Sequence, residues 1–159
     1  MSDLLTQEFA RRVFSYDAET GVLTSRLTLG KRTAGERLGR PHHLGYLVVE
    51  IGGNRFLAHR IAWVYAYGEI PNGKEIDHIN GVRSDNRLLN LRVATRAQNS
   101  QNRESAGVYF DRQRNRWRAF IWLNGKNKVI GSFPTRELAR EAYLSAKRAH
   151  HPFFAREPK

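Results

Sequence analysis

The chain has 159 residues, no cysteine, and 27 lysines and arginines against 15 acids, a formal net charge of +12. That length allows one domain or two small ones; without cysteine neither disulfides nor thiolate zinc can staple a thin core, and no secretory leader or membrane-length apolar run is visible, so a cytoplasmic protein is expected. Only six of the 27 basic residues are lysine, and guanidinium grips phosphate or guanine with two parallel hydrogen bonds, so nucleic acid is the leading partner and a basic surface kept for solubility the alternative.

In chain order, Leu4, Leu5, Phe9 and Val13 recur at helical spacing, and SYDAETGVLTSR then turns into a short strand. Residues 28–41, TLGKRTAGERLGRP, follow neither period and read as a loop or extended arm. Lys31, Arg32, Arg37 and Arg40 there could track a DNA backbone, or simply be solvated. Residues 45–51 (GYLVVEI), the Gly-Gly-Asn turn and residues 55–57 form a hairpin pattern. A helix over residues 58–67 follows, ended by Gly68 and Pro71, with His59 in its first turn as either a buried structural histidine or the lining of a site. Residues 75–79 read as a strand, 80–90 as a polar loop, 91–94 as a second strand, and Thr95 caps a helix carrying Asn99 and Asn102.

The composition changes beyond Arg103, and residues 104–106 are the candidate boundary. Residues 1–102 hold 14 basic and 10 acidic side chains, and residues 103–159 hold 13 and 5, so the final third is the stronger electrostatic anchor. After a strand at 107–110, RWRAFIWL (116–123) alternates. Trp117, Ala119, Ile121 and Leu123 lie on one side, and Arg116, Arg118, Phe120 and Trp122 on the other. Asn124-Gly125 turns the chain into a returning strand at 128–133 that carries Lys128, with Lys126 at its approach. Thr135 caps a helix to about His150 with Leu138, Ala139, Ala142, Tyr143, Ala146 and Ala149 as its apolar stripe. One helix covers one face of such a sheet, which leaves arginines and aromatics on the other. Residues 156–159 read as a frayed tail.

The densest polar stretch is KEIDHINGVRSDNRLLNLRVATRAQNSQN, residues 74–102, with Asp77-His78, an asparagine twelve residues beyond the histidine (Asn90) and another nine further on (Asn99). One carboxylate and one amide oxygen are too few for an all-protein cation cage, but they suit a magnesium-like ion that keeps waters and takes its remaining ligands from a phosphate. Neutral His78 could then take a proton from an attacking water. Adjacent strand residues point to opposite faces, so both can aim at one phosphate only across a kink. A turn rich in Asn and Asp for conformational reasons is the alternative, and Asn90 could tie the loop through backbone hydrogen bonds.

HRIAWVYAYGEIP followed by IDHINGVRSDNRLLNLRVATRAQNSQN resembles the HNH endonuclease family, in particular its cysteine-free phage and intron-homing branch, over residues 16–102. In that family the Asp-His pair supplies a metal ligand and the general base, which fall on Asp77 and His78. The middle asparagine, matched by Asn90, orders the loop and steadies the histidine, and the last, matched by Asn99, is the second metal ligand. The His59-Arg60 pair matches a recurrent feature of the branch and puts His59 among the catalytic candidates. The resemblance implies an α+β fold with a strand-strand-helix metal (ββα-Me) core behind an N-terminal hairpin, and one Mg2+ or Mn2+ ion per site without structural zinc.

The last third resembles the plant ethylene-response-factor type of DNA-binding domain through Gly107-Val108, residues 117–121, Gly131-Ser132-Phe133, and Glu137, Ala139, Ala142 and Tyr143. It implies a three-stranded antiparallel sheet on one helix, reading DNA with Arg116, Arg118, Phe120 and Trp122, helped by Lys126 and Lys128. Aromatics at 120 and 122 depart from the plant pattern, so base preference does not carry over. The expectation is an HNH nuclease domain at residues 1–103 and a DNA-binding domain at 104–159, cutting double-stranded DNA in a bacterial host's cytoplasm if phage-encoded, with homing as one use. One site attacks one strand, so a monomer nicks. A catalytically silent DNA-binding protein or repressor on the same scaffold is the alternative, and an RNA-binding sheet a third reading.

Overall fold

The structure is a computed structural model and describes residues 5–28, 32–102 and 107–154. The boundary expected at residues 104–106, the tail at 156–159, Leu4 and residues 29–31 lie outside the described residues. Two compact units divide the chain, Met1–Ala97 and Gln98–Lys159. The architecture is mixed α+β, with small antiparallel sheets and four α-helices among the described residues.

In the first unit, Thr6 accepts from the Phe9 amide and caps α1 (Gln7–Val13), with Glu8 in the first turn and Arg11 and Arg12 in the last, the charge order a helix dipole favours. The chain continues into β1 (Phe14–Tyr16) and β2 (Leu23–Ser25). The stretch expected to be a loop or arm instead ends in two short strands, β3 (Arg37–Leu38) and β4 (Arg40–Pro41). Between them Gly39 takes a φ of 112°, and the two strands join different sheets: β3 completes β1-β2-β3, and β4 opens β4-β5-β6 with β5 (Leu47–Ile51) and β6 (Asn54–Leu57). The β5–β6 turn uses Gly52 and Gly53 at φ 55° and 75°, the left-handed pair a two-residue hairpin requires. Helix α2 (Ala58–Tyr67) follows at once and stops at Gly68, whose amide returns to the Val64 carbonyl.

The main core of this unit gathers Ala10, Val13, Phe14, Leu23, Leu38, Val49, Ala58, Ile61 and Val64. Ile61 is wholly buried, so its truncation to alanine should cost about 2–5 kcal/mol. One turn beyond Ala58, Ala62 joins a second cluster with Ile76 and Leu91, which seats the hairpin of β7 (Lys74–His78) and β8 (Leu91–Thr95) on the helix. Residues 79–90 link these strands and end in one 3₁₀ turn, and α3 (Arg96–Asn102) follows β8 directly.

In the second unit the sheet order is β11-β10-β9, from β9 (Val108–Asp111), β10 (Arg116–Leu123) and β11 (Lys126–Phe133). Thr135 caps α4 (Arg136–His150), whose Ala139 and Tyr143 pack with Ala119 under Trp117 and Phe133. The buried line on α4 runs through 139, 143 and 147, not through the outer alanines. Leu138 is 45% exposed, whereas Lys147 is buried with its ammonium 4.4 Å from the Phe154 ring centre. A lysine stem can cover apolar surface that way while the aromatic face receives the charge.

Candidate active site

Strand β7 pairs with β8 in unbroken register, Asp77 opposite Arg92 and His78 opposite Leu91. The kink expected between Asp77 and His78 is absent from this ladder, and the two side chains take up different partners. Arg92 donates to Asp77 Oδ2 through Nε at 3.0 Å and Nη2 at 2.9 Å, a cross-strand ion pair whose carboxylate is buried.

His78, at the last position of β7, is 4% exposed and enters an aromatic cluster. The His59 ring meets it edge-on at 4.8 Å, Tyr46 lies 5.3 Å from His59 and 6.0 Å from His78, and the Arg83 guanidinium covers Tyr46 at 4.9 Å. Burial holds His78 below the usual imidazole range, only partly offset by Asn86 and the Asp77 and Asp85 carboxylates. Burial, with His78 and Arg60 nearby, pushes His59 down to about 3. Both rings are therefore neutral at physiological pH. His59 Nδ1 is buried without a hydrogen-bond partner, so the ring is not a fully satisfied core histidine.

The loop after His78 is tied internally. Asn90 accepts from the Asn80 amide at 2.9 Å and donates to the Asp85 carbonyl at 2.7 Å, while its own carbonyl receives the Ile79 amide. Arg87 fastens Asp85 through Nε and Nη2, which with Asn80 holds that carboxyl down at about 2. Asn90 thus orders the loop through the backbone. Asn86 reaches the histidine, with Oδ1 3.1 Å from His78 Nε2.

Asn86 is clasped from the β1–β2 hairpin. Its carbonyl accepts from Tyr16 Oη at 2.7 Å, and the Leu88 amide reaches the Ala18 carbonyl at 2.9 Å. Burial pushes the Tyr16 phenol up to about 12, so it stays a donor. Gly21, at φ 73°, lies so close that a Cβ would stand 2.5 Å from the Arg87 nitrogen. Spacing along residues 74–102 carries no signal for Asn86 or Tyr46; Arg92 was findable, because an antiparallel hairpin of β7 and β8 sets it opposite Asp77. Asn99 sits on α3, within the second unit.

In the second unit Arg116, Arg118, Phe120 and Trp122 share the face of β10 turned from α4. Tyr109 stacks on Phe120 at 5.1 Å and 8°, Arg118 covers Phe120 at 5.1 Å and approaches Asp111 at 3.8 Å, and Trp122 is 63% exposed. Lys126 and Lys128 do not join them. A bulge between Ala119 and Phe120 shifts the pairing by one residue, so Lys128 opposes Ile121 and Lys126 opposes Leu123, on the helix side. Val129 and Asn127 take the outward places beside Phe120 and Trp122.

Residues 56–101 match the model of the HNH endonuclease family. Protein 3.8 of Escherichia phage T7 is 30% identical over 103 residues, covering 60% of this chain and 85% of that protein. The chain belongs to the HNH endonuclease family. A solved structure described as "DNA binding and cleavage by the HNH homing endonuclease I-HmuI" is similar over 87% of both chains, with 23% identity and a TM-score of 0.46. The HNH match takes in His59, Asp77, His78, Asn86, Asn90, Arg92 and Asn99, and leaves out Tyr16, Gly21 and Tyr46, which clasp or line the same cluster. Residues 107–154 also lie beyond the HNH match. Among the described residues no helix is long and apolar enough to cross a membrane.

Proposed function

We propose that the chain is a metal-dependent endonuclease acting on double-stranded DNA, with His78 as general base and Asp77 and Asn99 holding one Mg2+ or Mn2+ ion. The observation that carries the reading is a buried, neutral histidine directly after a buried carboxylate, inside the span that matches the HNH family. A general base must hold a lone pair at the working pH, and burial keeps His78 in that state.

The donor set fits the ion. A carboxylate and an amide are hard oxygen ligands, and no group of three His, Asp or Glu side chains able to hold a metal occurs among the described residues. An ion here would keep most of its shell as water and substrate phosphate, as Mg2+ does. When bound it supplies positive charge against the phosphodiester. The chain does the rest. Arg92 fixes the Asp77 carboxylate, the tied loop keeps the end of β7 from fraying, and His78 receives the proton of the attacking water.

The second unit serves in this reading as the anchor, with residues 104–159 as a DNA-binding domain of the ethylene-response-factor kind. Arg116 and Arg118 grip phosphate or guanine, while Phe120 and Trp122 contact sugars or thymine methyls. The excess of basic residues beyond 103 supports it. The T7 relative supports a phage-encoded protein at work in a bacterial cytoplasm, and homing is one use for such an enzyme.

Supercoiled plasmid with Mg2+, then with EDTA, tests the proposal. Nicked circles that appear with Mg2+ and not with EDTA are expected, and His78→Ala should cut about 10²–10⁴-fold more slowly while binding DNA as before. Cutting in EDTA would overturn the mechanism. Binding without cutting under any divalent ion would identify a silent DNA-binding protein instead.

A further inference from the structure

We infer that Asn86 is the positioning residue of His78, holding its ring as the Nε2–H tautomer so that Nδ1 carries the lone pair used as the base; this rests on the reading of His78 as general base. Three observations carry it. Oδ1 of Asn86 lies 3.1 Å from His78 Nε2, and an amide oxygen can only accept, so the nitrogen facing it must bear the proton. In a neutral imidazole only one nitrogen is protonated, which leaves the lone pair on Nδ1.

Asn86 is also held like a part that must not move. It is 2% exposed, its carbonyl is bonded to Tyr16, and its peptide lies against Gly21 with no room for a Cβ. A polar side chain buried merely to fill space would satisfy both its ends. Nδ2 of Asn86 is buried without a partner, a cost that the fold accepts to keep Oδ1 on the histidine.

Asn90, four residues on, spends its amide on the Asn80 amide and the Asp85 carbonyl, so it shapes the loop that carries Asn86. The ring is further confined by His59, packed edge-on at 4.8 Å. Asn86 thus selects the nitrogen and His59 limits the tilt. Between them the imidazole keeps one orientation before any substrate arrives.

The test is long-range ¹H–¹⁵N correlation on the labelled full chain at about pH 7.5, where His78 is neutral, with plasmid cleavage run beside it. The wild type should show His78 protonated on Nε2. Asn86→Ala should give a mixture of tautomers, with kcat about 10–100-fold lower and KM for DNA little changed. Asn86→Asp, which keeps an acceptor of the same size, should hold the proton on Nε2 and retain more activity than the alanine variant. A wild-type ring protonated on Nδ1, or an alanine variant whose tautomer does not change, overturns the assignment. If Asn86→Ala fails to fold, the wild-type and Asn86→Asp spectra decide it. A wild-type chain with the Nε2–H ring that never cuts refutes the nuclease reading and leaves the tautomer assignment standing; a chain that cuts with the proton on Nδ1 does the reverse.

Discussion

His59 makes the first unit sensitive to mild acid, by an amount the structure sets. Its folded-state pKa is about 3, against about 6.5 for a free histidine. Between those values the unfolded chain binds a proton that the folded chain refuses, so stability is full above about pH 6.5 and falls as pH drops below it. The slope approaches about 1.4 kcal/mol per pH unit, and going from about pH 7.5 to 5 should cost about 2 kcal/mol from this residue. His78, lowered in the same direction, adds to the loss. The assay is urea unfolding at both pH values, read by hydrogen exchange in peptides from α2 and β7 with the labelling pulse at one common pH, so that the first unit is followed by itself. In His59→Phe, which keeps an aromatic ring between Tyr46 and His78, the pH effect should shrink by about 2 kcal/mol. A variant that loses as much stability in acid as the wild type would refute the argument, since the titrating group would then lie elsewhere.

Gly21→Ala should destabilise the first unit by about 2–4 kcal/mol, because the alanine must accept a positive φ and its Cβ meets the Arg87 nitrogen. Urea midpoints measure it, and a change under about 0.5 kcal/mol would mean the hairpin does not clasp the loop. Arg118→Ala should weaken DNA binding and flatten the dependence of log affinity on log salt by about one unit. Lys128→Ala, on the other face of the sheet, should change affinity by about twofold at most, and equal effects from the two would show that the outward face does not meet DNA.

What was legible in the sequence was what local rules determine. The turns at Gly52-Gly53 and Asn124-Gly125 take the left-handed φ values their residue types advertise, and the alternation of β10 reads directly as one covered and one open face. Within the expected loop or arm of residues 28–41, residues 37–41 carry no strand signal because each of their strands is two residues long and the two find partners in different sheets, a fact no local window contains. Of the candidate site, Asp77, His78 and Asn90 stand out through order and spacing. Asn86 does not, because what singles it out is burial beneath a hairpin some 65 residues earlier in the chain. The kink expected so that Asp77 and His78 could both aim at one phosphate is absent: the two leave alternate faces of a regular ladder, so in the nuclease reading the pair must flank the phosphate and not approach it from one side. Lys147 replaces the expected alanines on the buried line of α4 because a line of residues four apart from Ala139 leads to it, and its length reaches Phe154.

The bulge in β11 has a consequence for direction. With regular pairing Lys128 would stand opposite Trp122; the one extra residue sends it to the other side and brings Val129 and Asn127 forward. The open face of the sheet is therefore graded along β10, charged at its Arg116 end and greasy and neutral at its Trp122 end. A graded surface cannot lie on a helix of two antiparallel strands equally well both ways round. In the nuclease reading that inequality works as a compass: one inserted residue in β11 makes the two directions along a duplex unequal for this sheet.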